Sequence, residues 1–389
     1  MTDRRRVVIT GMGTVNASTV GGTEAVAGAL ALGRSPIGPV RHFELAGAGG
    51  SRLAAEVEDG VLTSLLDRDQ ARRLSRICRL TLAACLLAMR DAGLEGGPGL
   101  GIVVGTEYGD FRSSEEFASG FLRRGPAGLS PMLFPNTVMN TMASVTAIAI
   151  GAKAPSVTLN QATIAGDLAV ARGARLIVSG RARAVMAGGV DEICEPVYRR
   201  LAEMSALSPM RRGPSAGAPE GCRPFAPDHN GPVLGEGATF LALEELDSAR
   251  ARGARILAEL VGAAWGNLPA APHTAPVARP DRGSPVRRFL TSPGAPTARL
   301  GRCYGAGNGD PGVDDWERAL LERDLRDAGA PTGLNPPISL APLFGQHGGL
   351  GALRAAAAAL DAGRLPGIVL VHGIARGGCR SALMTGPPA

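Results

Sequence analysis

Lysine is almost missing from this 389-residue chain: 41 residues are Lys or Arg, and Lys153 is the single lysine. The net charge of +6 is therefore carried by arginines, which are spread along the sequence rather than gathered into a patch. A nucleic-acid surface needs clustered charge, so that class is excluded. No C-x-x-C pair occurs among Cys78, Cys85, Cys194, Cys222, Cys303 and Cys379, which removes zinc modules and disulfide frameworks and fits a reducing cytoplasm. Long apolar runs are also missing. The stretch 125–152 is uncharged up to Lys153 but is broken by Pro131, Pro135, Asn136 and Asn140, short of the roughly 20 apolar residues of a membrane span. The opening MTDRRRVVITGMG offers four apolar residues in a row, too few for a secretory signal. What remains is a globular chain, 45% apolar and only 4% aromatic. No metal or cofactor is implied.

Periodicity divides it into strands and helices. Residues 6–10 (RVVIT) read as a buried strand ending in a Gly11-Met12-Gly13 turn. Leu74, Ile77, Cys78, Leu82, Cys85, Leu86 and Met89 keep the 3.6 period of an amphipathic helix that Gly93 stops. Residues 100–106, 156–160 and 184–188 read as central strands, with a helix over 164–178. Beyond them come strands at 234–244 and 256–264 and a short helix at 247–253. Helices follow near 314–328 and 352–362, then strands at 367–371 and 382–385. Alternating strands and helices predict a parallel sheet covered on both faces. The similar order in 1–250 and 251–389 predicts two duplicated α/β halves. The Pro-, Gly- and Arg-rich stretches 211–221 and 267–296 read as loops.

Four segments in order, RRVVITGMGTV from Arg5, the strand-turn-helix over 155–180, AVMAGGVDEI from Ala184 and CRPFAPDHNGPVLGEGATFLALEEL from Cys222, resemble the β-ketoacyl synthases of the thiolase fold. The resemblance implies a layered α-β-α-β-α architecture. It also implies Claisen condensation on acyl-carrier-protein thioesters, in which a cysteine at a strand-to-helix turn holds the growing chain and two histidines steady the enolate oxygen. In this sequence the turn reads VTLNQATIAGD, with Gln161 at the cysteine's expected place and Thr163 expected to cap the helix. Ala306 of AGNGD takes the place of the first histidine, Gln346 of FGQHGG that of the second, and Ala341 that of a lysine whose glutamate partner is Glu236. Arg376 stands for the aromatic gate of a G-F-G-G loop. A slip of one residue would make His347 the second histidine.

Loss of these groups together resembles the chain-length factors, the ketosynthase beta subunits of type II polyketide synthases. The resemblance implies a heterodimer with a catalytic ketosynthase, and a phosphopantetheine-bound chain on acyl carrier protein growing through a tunnel between the subunits. Tunnel-lining residues would come from the helix after the second strand: Asp110, Phe111, Ser113, Glu116, Phe117, Gly120 and Phe121, of which Ser113, Phe117, Gly120 and Phe121 share a helical face. Met132, Asn136, Met139, Asn140 and Met142 would lie at the subunit interface. The threonine in Asn160-Gln161-Ala162-Thr163 departs from the chain-length-factor pattern and points toward reducing, polyene-making systems. The alternative is a malonyl-carrier-protein decarboxylase that uses the Gln161 amide.

Overall fold

The computed structural model describes residues 5–45, 50–211, 217–268, 284–291, 300–365 and 367–388. Ten strands build one sheet: β1 (Val7–Asn16), β2 (Leu100–Thr106), β3 (Ser156–Asn160), β4 (Ala184–Asp191), β5 (Gly237–Glu245), β6 (Ala258–Asn267), β7 (Leu300–Gly305), β8 (Ile338–Ser339), β9 (Ile368–Ile374) and β10 (Cys379–Gly386). Their order is β8-β7-β9-β10-β6-β1-β5-β4-β2-β3, with a short strand at Val20–Gly21 beside β1. Chain order within the first five strands maps onto the last five, so the halves repeat one another about the antiparallel β1–β6 pair. A small separate sheet joins 38–39, 53–55 and 234–235.

The sheet is mixed rather than parallel. β2 pairs β3 and β4 in parallel, and β7 pairs β8 and β9 likewise. β5 and β10 run against their neighbours. Four residues separate β9 from β10, too few for the crossover that parallel pairing requires. The equivalent connection between β4 and β5 is the long segment 192–236.

Helices α1 (Arg76–Ala92), α2 (Phe111–Arg124), α3 (Thr141–Ala149), α4 (Ala165–Val178), α5 (Pro311–Asp327) and α6 (Leu350–Ala362) complete the layers. Strand alternation explains the packing. Val103 of β2 and Val369 and Val371 of β9 face inward onto α4 and α6, with Ala169, Ile177, Leu353 and Ala356 in the same cluster. Ile102 and Val104 turn outward onto α1 and α3, and Leu370 faces α5 and a helix at Pro285–Leu290. The result is the five-layer α-β-α-β-α arrangement. Asp167 of α4 and Arg354 of α6 form a fully buried ion pair at 2.6 Å across its middle.

Two local expectations change. β1 continues through Gly11 and Gly13 instead of turning, because α1 lies directly on the strand. A Cβ at Gly11 would stand 2.5 Å from the Ala92 nitrogen, and one at Gly13 would stand 2.3 Å from the Ala84 carbonyl oxygen. The stretch 267–296 contains the helix at Pro285–Leu290, while 269–283 and 292–296, like 212–216 in the other expected loop, lie outside the described residues.

Candidate functional site

The carboxyl ends of the parallel strands are where open α/β sheets gather their loops, and six segments meet there. Asp191 at the end of β4 is the anchor. It accepts from the Thr106 hydroxyl at 2.6 Å, from the Glu107 and Tyr108 amides, and from the Gly348 amide at 2.7 Å. Burial pushes its pKa up to about 6 despite these donors. Ile164, Ala306, Ile374 and Ala375 then pack into one apolar cluster beside the turn.

The sharp strand-to-helix turn falls on Thr163, two residues beyond Gln161. Thr163 has φ 61°, a left-handed conformation that costs a β-branched residue roughly 1–2 kcal/mol. It does not cap the helix: Ile164 is the N-cap of α4, and no side chain closes that end. The Thr163 N–H instead donates to Glu107 Oε2 at 2.9 Å. The Glu107 carboxyl end is enclosed, and burial followed by the Asp191 charge pushes its pKa up to about 7. Gln161 is half-buried in the approach to the turn, its backbone N–H donating to the Thr106 carbonyl. The left-handed residue of the strand-to-helix turn is thus Thr163, with Gln161 two residues before it.

The substituted positions are filled tightly. Ala306 is fully buried, and its N–H and that of Gly307 donate to Glu317, which also pairs with His372 at 2.7 Å. The Asn308 amide reaches Gln346 Oε1 at 3.5 Å, the limit of a hydrogen bond, and leaves the buried Gln346 Nε2 unpartnered. Ala341 lies in the central core. Arg376 pairs through Nε with Asp310 at 2.7 Å, closing the loop before β10 onto the start of α5.

Glu236 is fully buried and bound by Arg76, which donates to it at 2.6 and 3.0 Å, by the Val57 and Ile193 amides, and by His42 Nδ1 at 3.7 Å. His347 is 1% exposed and its Nδ1 accepts from the Gly349 N–H, while the neighbouring Gln346 faces Asn308.

Burial pushes the His347 pKa down to about 4 from the ordinary 6.5. The ring is neutral in the fold but protonates in the unfolded chain as pH drops below 6.5, so stability is lost between pH 6.5 and 4. Relative to His347→Gln, the loss should approach about 1.4 kcal/mol per pH unit, which urea titration of both proteins across that window will measure.

Two thiols border the site. Cys222 Sγ lies 3.5 Å from the Asn308 carbonyl and burial pushes its pKa up to about 12, while Cys379 packs against the Ile164–Ala306 cluster with its pKa also raised by burial. Both are held as neutral thiols, the unreactive form.

On α2, Ser113 is buried, Phe117 packs on Phe134 with ring centroids 5.9 Å apart, and Gly120 touches the 125–128 turn. Phe121 stands at the rim of that face, 48% exposed, and Phe111 and Glu116 are exposed beside it. Asp110 caps α2 by accepting from the Ser113 N–H at 3.0 Å. Met132 is 85% exposed, Asn140 is exposed, Asn136 is half-buried and Met139 lies over Gly109. Met142 is a correction: it is completely buried in this chain's own core with Ile102 and Val104, so it is no interface residue. The exposed apolar side chains from Phe111 to Ile148 all come from the segment between β2 and β3, and β3 is the last strand of the sheet. Asp191, Glu107 and Arg76 were missed from sequence, although an acidic residue directly after a central strand, as in EYGD, is the signal that finds Glu107.

The sequence model described as Beta-ketoacyl synthase, N-terminal domain, matches residues 4–249. The 3-oxoacyl-(acyl-carrier-protein) synthase 2 of Synechocystis is 35% identical over 67% of this chain and 62% of its own length, and that of Vibrio cholerae is 30% identical over 84% and 78%. Among solved structures, the ishigamide ketosynthase/chain length factor is 26% identical with a TM-score of 0.81, each chain covered completely. A type II polyketide synthase acyl carrier protein in complex with its ketosynthase shares the fold at 19% identity, complete coverage of both chains and a TM-score of 0.80. Among the described residues, no helix is long and apolar enough to cross a membrane.

Proposed function

The chain belongs to the β-ketoacyl synthase family, and on that premise we propose that it is a non-catalytic subunit, the chain-length factor of a type II polyketide synthase, acting in the cytoplasm. The strand-to-helix turn carries the reading: Gln161 and Thr163 stand there, and neither can hold and transfer an acyl chain as a thiolate does. Ala306 offers no hydrogen bond where an enolate oxygen would need one. The site that would condense is filled, while the exposed apolar segment 111–148 and the open edge of β3 remain for a partner. That partner is a catalytic ketosynthase, with α2 helping to shape the tunnel for a chain carried on acyl carrier protein, in a reducing system. The likeness to a ketosynthase/chain length factor supports this.

The purified chain should acquire no acyl group from malonyl-acyl carrier protein by intact-protein mass spectrometry and form no condensed product. Co-expression with its ketosynthase should give a stable one-to-one complex that does. Condensation by the isolated chain would overturn the reading. A second reading, malonyl-carrier-protein decarboxylation, is favoured by one observation, the unpartnered Gln346 Nε2, a donor suited to a thioester oxygen. Release of carbon dioxide by the wild type that Gln346→Ala and Gln161→Ala reduce would establish it.

A further inference from the structure

We infer that Glu107 is an internal lock on the β3–α4 turn, its carboxylate occupying the backbone N–H to which an acyl carbonyl oxygen would otherwise bind. The contact is long-range: Glu107 follows β2, and its Oε2 receives the Thr163 N–H at 2.9 Å across 56 residues of sequence. The Thr163 N–H lies one residue before the N-cap of α4, beside helix amides that have no partner in the helix itself and take an anionic or carbonyl oxygen from elsewhere. Here the chain supplies that oxygen. Glu107 is held in place to do so. Its own N–H is bound by Asp191, and its carbonyl accepts from Asn160 Nδ2 at 2.8 Å, so the loop after β2 and the residue that ends β3 are tied together around the turn. Left-handed Thr163 turns its amide toward this carboxylate. A thioester entering the turn must first displace this hydrogen bond. The missing thiol and the occupied amide are separate barriers, and the inference rests on the proposed function only in taking this turn as the place an acyl group would enter.

The test restores the thiol and then removes the lock. In Thr163→Cys, the thiol can attack the carbonyl carbon of S-acetyl-N-acetylcysteamine. The thioester C–S bond breaks, and N-acetylcysteamine leaves carrying the cysteine's proton. Thr163→Cys alone should acetylate slowly, and Thr163→Cys with Glu107→Ala at least tenfold faster by mass spectrometry. Glu107→Ser, too short to reach the turn, serves as the second variant should alanine fail to fold. Methyl methanethiosulfonate, which has no carbonyl, should react with the single and double variants within threefold of one another. Equal acetylation rates, or the same acceleration with both reagents, would overturn the lock, the latter by showing that Glu107 only fills space. Condensation by the wild type run alongside would instead count against the non-catalytic reading and leave this comparison intact.

Discussion

Glu236→Ala is expected to lower stability by about 3 kcal/mol, the low end of the cost of breaking a buried ion pair, because Arg76 keeps only the exposed Asp59 as a charged partner. Glu236 is fully buried and the Arg76 side chain is 11% exposed, so water can replace little of what is lost. Arg76 would keep Asp59 and the Val57 carbonyl, but the Val57 and Ile193 amides would lose their acceptor. Because these groups belong to α1, to the segment after 53–55, to the end of β4 and to the approach to β5, one substitution loosens four elements at once. Urea unfolding is the measurement. Arg76→Met with Glu236→Gln, which removes both charges together, should cost less than half as much, and a double-mutant cycle gives the coupling. A loss below about 1 kcal/mol in Glu236→Ala would show that the pair is not integral to the fold.

Ile148→Asp is expected to weaken pairing with the catalytic ketosynthase at least 100-fold while leaving the chain's own stability within about 0.5 kcal/mol. Ile148 is 83% exposed on α3, the helix beside the edge strand β3. A charge there costs nothing in water but must be desolvated without a partner inside an apolar interface. The control is Ile338→Asp, an exposed apolar residue on β8 at the far end of the sheet. Sedimentation of mixtures should show loss of the complex with the first variant only. An equal response to both would remove segment 111–148 from the interface.

Where a feature depended on neighbours in sequence, it could be read from the sequence. Strands 100–106 and 156–160 were expected with the boundaries observed, and Gly93 ends α1 in the left-handed conformation that its glycine permits. Features that depend on distant contacts could not be read in this way. Gly11 and Gly13 look like a turn until α1 is known to press on them. Met142 looks like the other methionines of its segment until its own helix turns it inward. Spacing alone does not say that Thr163 rather than Gln161 takes the left-handed turn, and no local pattern links Arg76 to Glu236. The fold-wide duplication was legible because each half repeats the same order of elements, but strand direction was not, since a helix between strands does not fix the sense of the strand that comes after a short hairpin.

The central layer also governs how this chain can come to be folded. α4 and α6 are 187 residues apart at the Asp167–Arg354 pair, and their small side chains pack together in the middle layer. On the ribosome the first half is complete long before α6 emerges. Until then the face of α4 that meets α6, with its aspartate, is open to solvent, so a fragment ending near 250 is expected to be a sticky intermediate with an ordered outer core. The first half already has an interior beneath α1 and α3, so what waits for the second half is the middle layer, which makes late docking of two nearly equivalent lobes the step at which aggregation competes with folding.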